Sequence, residues 1–439
     1  MNDTIYALSS APGRAGVAVV RVSGPDARTV LAGLCGDVPE PRKAVLRVLR
    51  NGRAEAIDRA LLLWMPGPNS FTGEDIVEFH VHGGRAIIEA LFDAIAAIGR
   101  SRPAEPGEFT RRAVENGKLD LTQAEAIQDL VEADTEAQRR QAFRQFGGAL
   151  GRLYEGWRDR LIRALAWAEA EIDFSDEDIP GELVKRSRAE VIQIIQEIQI
   201  HMEDSRRGEI IREGIRLTVI GSPNAGKSSL VNALARRDVA IVHETAGTTR
   251  DVIEVRLDIG GVPVIVSDTA GLRDTVDAVE REGVRRALAR ASSADLTLLL
   301  LDASIAEPLA GLPAGAVRDA ALVVENKIDL PRRAPPIPAA SRSVSLRTGE
   351  GWDGLMTELS RLVAEKADWS NEAPVITRAR HRRALDEALA DLRRAAASSE
   401  AELFAEDLRL AARAIGRVTG RVDVENLLDV IFRDFCIGK

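Results

Sequence analysis

A short stretch near the middle of the chain limits the possible folds more than any other. Residues 217–229 read L-T-V-I-G-S-P-N-A-G-K-S-S, which is the pattern of an apolar strand, a glycine-framed loop and a helix. In such a loop the backbone N–H groups point at a phosphate chain, a lysine reaches the terminal phosphates and a serine hydroxyl ligates Mg²⁺. The alternative is a glycine turn before an ordinary helix. We interpret the stretch as a phosphate-binding P-loop, with Lys227 as a catalytic lysine and Ser228 as a Mg²⁺ ligand.

Three further motifs follow in the order of a GTPase domain. D-T-A-G at 268–271 comes directly after an apolar strand, where the aspartate can hold Mg²⁺ through water and the glycine N–H can meet the γ-phosphate. N-K-I-D at 326–329 also follows a strand, and its carboxylate can accept two hydrogen bonds that guanine offers and adenine does not. G-T-T-R at 247–250 suits a switch segment that closes on the γ-phosphate, and S-L-R at 345–347 suits the loop over the base. The predicted ligand is therefore GTP.

The predicted nucleotide-binding residues come from all of these motifs. They are Asn224, Ala225, Gly226, Lys227, Ser228, Ser229, Gly247, Thr248, Thr249, Asp268, Thr269, Ala270, Gly271, Asn326, Lys327, Asp329, Ser345, Leu346 and Arg347. Thr249 is predicted to complete the Mg²⁺ shell with Ser228. The order of the motifs and their positions after strands predict a Ras-like P-loop GTPase domain.

Length and composition set the wider limits. A chain of 439 residues suggests two to four domains, each with its own core. The net charge of −9 argues against non-specific nucleic-acid binding by bulk electrostatics, so any RNA contact must be local or shared with a partner. Two cysteines, Cys35 and Cys436, provide no disulfide framework and fit a reducing compartment. No apolar run approaches the roughly 20 residues of a membrane span, so we expect a soluble, cytoplasmic protein.

Periodicity predicts the arrangement of the domains. Helical spacing begins at about residue 119, where Thr122 to Glu125 has the T-x-x-E pattern of a capping box, and it returns from Ala384 to the end. Neither helical half has enough apolar surface to be stable alone, so we expect both to pack into one bundle with the GTPase domain inserted between them. The predicted class is multidomain α/β and α. Its parts are an α+β domain (1–118), a helical domain (119–212 and 376–439) and the inserted GTPase domain (213–375).

Polar side chains interrupt two predicted strands of the first domain. Arg21 lies within an apolar run, and Glu78, His80 and His82 share one face of a later strand because strand side chains alternate. The simplest interpretation of this face is a solvated sheet surface. A metal site at His80 and His82 would lack a third nearby ligand.

Stretches along the whole chain resemble the MnmE (TrmE) family of tRNA modification GTPases. Besides the GTPase motifs N-A-G-K-S-S and G-T-T-R-D, they are A-P-G-R-A-G-V-A-V-V-R-V-S-G at 11–24, F-T-G-E-D at 71–75, H-G-G at 82–84, P-G-E-F-T-R-R-A at 106–113, N-G-K-L-D-L-T-Q-A-E-A-I at 116–127 and the terminal F-C-I-G-K. The resemblance implies a homodimer formed through N-terminal domains that bind a reduced folate, a tetrahydrofolate derivative. It also implies joint action with an FAD-dependent MnmG-type protein, which installs an aminomethyl-type group on C5 of a tRNA wobble uridine.

The resemblance also implies roles for individual residues. The folate contacts would be Arg21, Glu78, Lys118 and Lys439, and the K⁺ ligands would be Asn224, His243, Thr245 and Thr248. Relatives often carry Thr and Asp where this sequence has His243 and Glu244. Cys436, in the terminal C-I-G-K, is assigned as a catalytic thiol, with an incidental thiol as the alternative.

The residue after D-T-A-G has a mechanistic consequence. It is Leu272, whose apolar side chain cannot orient water as the glutamine of Ras-like GTPases does. Arg250 and Arg273 are candidate charge donors. The resemblance implies that Glu280 orients the water and that K⁺ replaces an arginine finger when two GTPase domains meet.

Two other functions fit parts of the pattern. One is a nucleotide-switched assembly or interaction protein whose first domain only dimerises. The other is a folate-dependent one-carbon enzyme with an incidental GTPase. Converging charge at Arg21 and Lys118 would favour folate binding, because a simple dimer surface has no need of it.

Overall fold

The structure is a computed structural model that describes residues 3–173, 182–203, 205–236, 254–267, 294–310, 312, 315–333, 335, 342–368, 374–422, 425–433 and 435–438. The chain forms two compact units. The first comprises Met1–Gln128, Gln145–Ser187 and Ser398–Lys439, and the second comprises Asp129–Arg144 and Arg188–Ala397. None of the described helices combines the length and the apolar character needed to cross a bilayer.

The described elements are numbered in chain order. The strands are β1 (Thr4–Leu8), β2 (Ala18–Ser23), β3 (Val45–Arg50), β4 (Ala56–Met65), β5 (Ile76–Val81), β6 (Ser101–Pro103), β7 (Ile215–Ile220), β8 (Glu254–Ile259), β9 (Val262–Ser267), β10 (Leu296–Asp302), β11 (Leu322–Asn326) and β12 (Arg342–Val344). The helices are α1 (Ala27–Cys35), α2 (Arg85–Ala96), α3 (Glu108–Glu115), α4 (Leu121–Glu132), α5 (Glu136–Phe146), α6 (Ala149–Asp173), α7 (Glu182–Glu203), α8 (Ser205–Glu213), α9 (Lys227–Arg236), α10 (Ala316–Asp319), α11 (Trp352–Ala367), α12 (Ala379–Ala397), α13 (Ala401–Thr419) and α14 (Glu425–Arg433).

The first unit contains a six-stranded sheet in the order β3-β4-β5-β2-β1-β6. Its neighbours are antiparallel except β1 and β6. Apolar residues of α1 and α2 close the core on one face of this sheet. The opposite face carries the polar row that includes Arg21 and Glu78, so these two side chains point away from the core.

In the first unit α4 and α6 pack against helices from the C-terminal part of the chain. α6 and α13 lie side by side, and Arg409 Nη2 on α13 contacts Glu169 Oε1 on α6 at 2.8 Å. α14 packs against α4 through Leu121, Leu428 and Phe432, which are all buried. These helices therefore meet through buried apolar side chains, and the single bundle expected for residues 119–212 and 376–439 stays a prediction.

The start of α4 corrects one sequence prediction. The backbone N–H of Gln123 donates to Asp120 Oδ1 at 2.9 Å, and Gln123 Oε1 accepts from the N–H of Asp120 at 3.0 Å. The reciprocal capping box is therefore Asp120 with Gln123, and the predicted box of Thr122 with Glu125 is wrong. The reason is that α4 already begins at Leu121, so both predicted capping residues lie inside the helix and are buried.

The second unit contains a six-stranded sheet in the order β12-β11-β10-β7-β9-β8. All neighbours are parallel except β8 and β9. α9 and α11, with Ile210 and Ile211 of α8, bury one face, and α10 contributes to the cluster on the other. Coverage of both faces explains the nearly continuous apolar runs in β10 and β11.

The boundaries of the two units differ from the domain boundaries predicted from the sequence. Residues 188–212 and 376–397 group with the sheet of the second unit. The boundaries at 212 and 376, and the insertion of one domain into another, stay predictions.

Candidate functional site

The P-loop lies where the strand order of the second sheet reverses. β7 is central, and the chain continues to β8 and β9 on one side and to β10 and β11 on the other. The loop after β7 leads directly into α9, which begins at Lys227. A crevice at the carboxyl ends of the strands, at such a reversal, is the expected place for a nucleotide. The predicted strand, loop and helix are confirmed.

Two glycines of the loop are required by close approaches. A Cβ on Gly221 would lie 2.2 Å from the carbonyl oxygen of Leu300 on β10. Gly226 has a φ of +103°, and a Cβ there would lie 2.4 Å from Nδ2 of Asn326. Any larger residue at either position would push the loop away from the neighbouring strands.

Lys227 lies in the first turn of α9 and bends back over the loop. Its Nζ donates hydrogen bonds to the carbonyl oxygens of Gly221 at 3.0 Å and Ser222 at 2.9 Å. Ser228 follows it in the same turn, and Asn224 is exposed on the loop with a φ of 60°. The ammonium group is thus held inside the curve of the loop, where it can meet phosphate oxygens.

Asn326 connects the P-loop to two other loops. Its Nδ2 donates to the carbonyl oxygen of Ala225 at 2.8 Å, and its Oδ1 accepts from the N–H of Leu346 at 3.2 Å. The side chain is buried, so both bonds are shielded from water. The first residue of N-K-I-D therefore positions the loops around the base and need not contact the base itself.

Asp329 is the residue expected to recognise guanine. Its carboxylate is exposed, and Oδ1 accepts a hydrogen bond of 2.7 Å from the hydroxyl of Ser345. Ser345 is fully buried, so its hydroxyl is held in place against the carboxylate of Asp329. Arg347, two residues further on, is exposed. The structure thus brings together the predicted guanine-binding motif and the predicted loop over the base.

Asp302 is a site residue that the sequence analysis missed. It ends β10, pairs in register with Asn326 of β11, and its Oδ2 accepts from Nζ of Lys327 at 2.6 Å. Burial raises the pKa of Asp302, but hydrogen bonds from Lys327 and Ser304 outweigh it and leave this pKa below its ordinary value. Lys327 has a φ of 65°, which is a left-handed backbone conformation that residues other than glycine rarely adopt, and the ion pair helps to hold it. The sequence feature that could have indicated this role is an aspartate at the end of a leucine-rich strand.

The remaining predicted residues of the GTPase site lie outside the described part of the chain. They are His243, Thr245, Gly247, Thr248, Thr249, Arg250, Asp268, Thr269, Ala270, Gly271, Arg273 and Glu280. Their roles stay predictions.

A second polar cluster lies on the open face of the N-terminal sheet. Arg21 on β2 and Glu78 on β5 are cross-strand partners, and Nε and Nη2 of Arg21 contact Oε1 of Glu78 at 3.0 and 2.8 Å. The guanidinium carbon lies 5.6 Å from the ring centre of Phe71 and 5.7 Å from that of Phe109. Nε2 of His80 is buried without a hydrogen-bond partner among the described residues, 3.5 Å from Oε2 of Glu78. The cluster thus combines charged groups, aromatic faces and an unsatisfied polar atom.

Lys118 lies beside the loop that carries Phe71. The methylene groups Cγ and Cδ of Lys118 would be 3.4 Å from a Cβ at Gly73, so its stem lies against that loop. Asn116 fixes the same loop by donating from Nδ2 to the carbonyl oxygen of Thr72 at 2.7 Å. Lys118 itself is exposed.

The C-terminal tail docks on the first domain. Pro106 forms a β-bridge with Ile437, and the hydroxyl of Ser9 donates to the carbonyl oxygen of Gly438 at 2.9 Å. Ser9 follows β1, in which Ala7 pairs with Arg21. Cys436 is exposed. Lys439 lies outside the described residues.

Comparisons with known proteins agree with this geometry. A model described as "GTP-binding protein TrmE N-terminus" matches residues 4–118, and one described as "MnmE helical domain" matches residues 121–436. The proteins named "tRNA modification GTPase MnmE" from Parvibaculum lavamentivorans and Paramagnetospirillum magneticum are each 55% identical to this chain over all of both chains. The protein of the same name from Rhodospirillum rubrum is 51% identical, over all of this chain and 99% of its own.

This chain belongs to the MnmE family. The resemblance inferred from the motifs is thereby confirmed. The two MnmE family matches meet between residues 118 and 121, at the turn from α3 into α4. The match over residues 4–118 includes the polar cluster around Arg21, and the match over residues 121–436 includes the P-loop.

Proposed function

We propose that this MnmE-family chain hydrolyses GTP and couples hydrolysis to modification of C5 of a tRNA wobble uridine. Its full-length relatives are tRNA modification GTPases, and family membership makes the chain a GTP-hydrolysing enzyme of tRNA modification. The observation that carries the GTPase assignment is the side chain of Asn326, which joins the P-loop, the N-K-I-D loop and the loop over the base.

Guanine recognition follows from the exposed carboxylate of Asp329. Guanine presents N1–H and an exocyclic amine side by side, and one carboxylate can accept a hydrogen bond from each. Ser345 orients the carboxylate from the buried side. Adenine has no such pair of donors, so the site selects GTP over ATP.

The hydrolytic centre is proposed from the P-loop and from the motifs outside the described residues. Lys227, held over the P-loop at the start of α9, would meet the terminal phosphates, and the hydroxyl of Ser228 would ligate Mg²⁺. Thr249 would complete the Mg²⁺ shell. Asn224, His243, Thr245 and Thr248 would hold K⁺, which offsets developing negative charge, and Glu280 would orient the attacking water.

A reduced folate is the proposed cofactor of the first domain. Arg21 uses Nε and Nη2 on Glu78, which leaves Nη1 of Arg21 and Oε2 of Glu78 as further polar groups beside the unsatisfied Nε2 of His80. A pterin ring carries both donors and acceptors, and a glutamate tail carries carboxylates, so the cluster fits such a molecule. The folate, when bound, would supply the one-carbon unit.

Individual side chains in and around this cluster have proposed roles. Arg21 and Glu78 would hold the ring, and Lys118, beside the Phe71 loop, would pair with a carboxylate. The docked tail would bring Lys439 to the same cluster and place the thiol of Cys436 near it. Phe71 and Phe109 would limit the access of water to the guanidinium of Arg21.

A homodimer, an FAD-dependent MnmG-type protein and tRNA are the proposed partners. Exposed apolar residues on the open face of the N-terminal sheet support the homodimer. Leu46 and Leu61 are cross-strand partners there and are 48% and 40% exposed. A second copy of the chain would cover them.

The test uses the full chain with its FAD-dependent partner, GTP, folate and unmodified tRNA. Arg21→Ala should abolish folate binding in calorimetry and reduce uridine modification, while GTP affinity stays unchanged. Arg59→Ala, an exposed arginine on β4 of the same sheet, is the control and should behave as the parent chain does. Unchanged folate affinity in Arg21→Ala would remove the folate assignment. GTP turnover without any tRNA modification by the parent chain would favour a nucleotide-switched interaction protein.

A further inference from the structure

A polar cavity of about 340 Å³ lies in the second unit, at the end of the sheet away from the P-loop. Arg216, Arg256 and Ile265 line it from the sheet, and Gln141 of α5 and Arg212 of α8 line it from the helices. Along β7, Gly221 of the P-loop lies five residues beyond Arg216, about 16 Å at the usual rise of a strand. The cavity is thus separate from the nucleotide site, and its volume suits a small molecule.

Two arginines of the cavity share one face of the sheet. Arg216 on β7 and Arg256 on β8 are both register partners of Ile265 on β9. Cross-strand partners project to the same side, so the two arginines flank Ile265, with Cα atoms about 10 Å apart at the usual strand spacing. Both are exposed, and neither guanidinium has a hydrogen bond or ion pair with any residue in the described ranges.

The acidic side chains of the lining have partners other than Arg216 and Arg256. Asp129 Oδ1 accepts from Nε of Arg212 at 3.1 Å and from Nη2 of Arg378 at 2.8 Å. Glu213 lies 3.7 Å from Arg212, and Glu132 has interactions of its own. The positive charges of the other two arginines are not offset in this way, so the sheet side of the cavity attracts anions.

The cavity also offers a hydrogen-bond acceptor. Nε2 of Gln141 donates to the carbonyl oxygen of Gly208 at 3.0 Å, which fixes the amide, while Oε1 is buried without a partner among the described residues. Buried acceptors in folded proteins are normally satisfied. A hydroxyl or amine on a bound molecule would satisfy this one.

We propose that this cavity binds a small molecule with a phosphate or carboxylate group, held by the guanidinium groups of Arg216 and Arg256. A planar guanidinium matches such an oxyanion through paired hydrogen bonds. The ligand connects β7, β8 and β9 to α5 and α8. Since β7 leads into the P-loop, occupancy stabilises the strand on which the nucleotide site is built.

Calorimetry on the full chain tests this, with the P-loop saturated by Mg²⁺ and a non-hydrolysable GTP analogue. Inorganic phosphate, glycerol 3-phosphate and succinate are titrated separately at constant ionic strength. We expect saturable binding at one site per chain, and the comparison of the three probes distinguishes phosphate from carboxylate ligands. Arg216→Gln and Arg256→Gln should each weaken binding by about tenfold or more, as expected for the loss of one charge-assisted pair.

Arg393→Gln is the matched control, because Arg393 is an exposed arginine of the same unit on α12. It should leave the affinity for all three probes unchanged. Both cavity arginines are exposed, so their variants should keep the thermal stability of the parent chain. Absence of saturable binding to the parent chain, or equal affinity in both cavity variants and the parent, overturns the proposal.

Discussion

Nδ2 of Asn326 donates a hydrogen bond of 2.8 Å to the carbonyl oxygen of Ala225, 101 residues earlier in the chain. The same side chain accepts from the N–H of Leu346. Three loops that are distant in sequence are therefore fixed by one buried amide, and the geometry of the nucleotide site depends on it.

Asn326→Asp should weaken GTP binding by about tenfold or more. The variant keeps an acceptor for Leu346 but places an oxygen against the carbonyl of Ala225, and an unsatisfied buried acceptor costs about 1–3 kcal/mol. Titration with a fluorescent guanine nucleotide measures the effect. Asn51→Asp, in an exposed turn of the first unit, should retain the parent affinity. Parent-like affinity in Asn326→Asp would show that the bridge is dispensable.

Asp329→Asn should exchange guanine for xanthine specificity. The variant amide can still accept from Ser345 and can donate to the C2 carbonyl of xanthine, whereas it places a donor against the donors of guanine. We expect GTP affinity to fall by about 100-fold or more and affinity for the xanthine nucleotide to rise. Competition binding with both nucleotides measures this. Asp319→Asn, an exposed aspartate of the same unit, should change neither affinity.

GTP turnover should be faster in K⁺ than in Na⁺ at equal ionic strength. Leu272 cannot orient water, so a bound cation and Glu280 are the proposed replacements. Asn224→Ala should lose the K⁺ response, and Glu280→Ala should lose turnover while keeping GTP affinity. Glu307→Ala, an exposed glutamate of the same unit, serves as the control. Phosphate release assays provide the rates, and identical rates in the two salts would refute the cation mechanism.

Arg112→Met should destabilise the N-terminal domain by about 3 kcal/mol at pH 7, because it removes the buried cation that Glu108 and Glu74 share. Arg112 is 2% exposed and contacts Glu108 at 2.9 Å and Glu74 at 3.1 Å. Differential scanning calorimetry of its unfolding transition measures the loss. Arg59→Met, at an exposed position of the same domain, should cost little.

The same variant has a defined pH dependence. Burial raises the pKa of Glu108, but hydrogen bonds from Arg102 and Arg112 outweigh it, so this pKa is lower in the folded than in the unfolded chain. Ionised Glu108 therefore contributes its full stabilisation at pH values above its pKa in the unfolded chain, which is about 4.3. This contribution is lost as the pH falls through the lower pKa that Glu108 has in the folded chain. The cost of Arg112→Met should shrink accordingly between pH 5 and pH 3. An equal cost across this range would contradict the assignment of the ion pair.

Much of the nucleotide site was predictable because its chemistry is local. The P-loop glycines, Lys227 and Ser228 are contiguous, and a strand followed by a helix is visible in the apolar pattern. Asp302 was missed because its role depends on the parallel register of β10 with β11, which places it beside Asn326 and Lys327. The capping box at α4 was misplaced by two residues, since two overlapping patterns competed and only the hydrogen bonds distinguish them.

By itself the sequence determined the family, the GTPase motifs and the strands that carry Arg21 and Glu78, because each depends on residue types at short spacing. The tertiary structure decided which of these residues meet. Arg21 contacts Glu78 only through the register of β2 with β5, and the terminal residues reach Pro106 and Ser9 only because the tail folds back onto the first domain. Contacts between distant residues depend on strand register and packing, and short-range patterns carry no record of either.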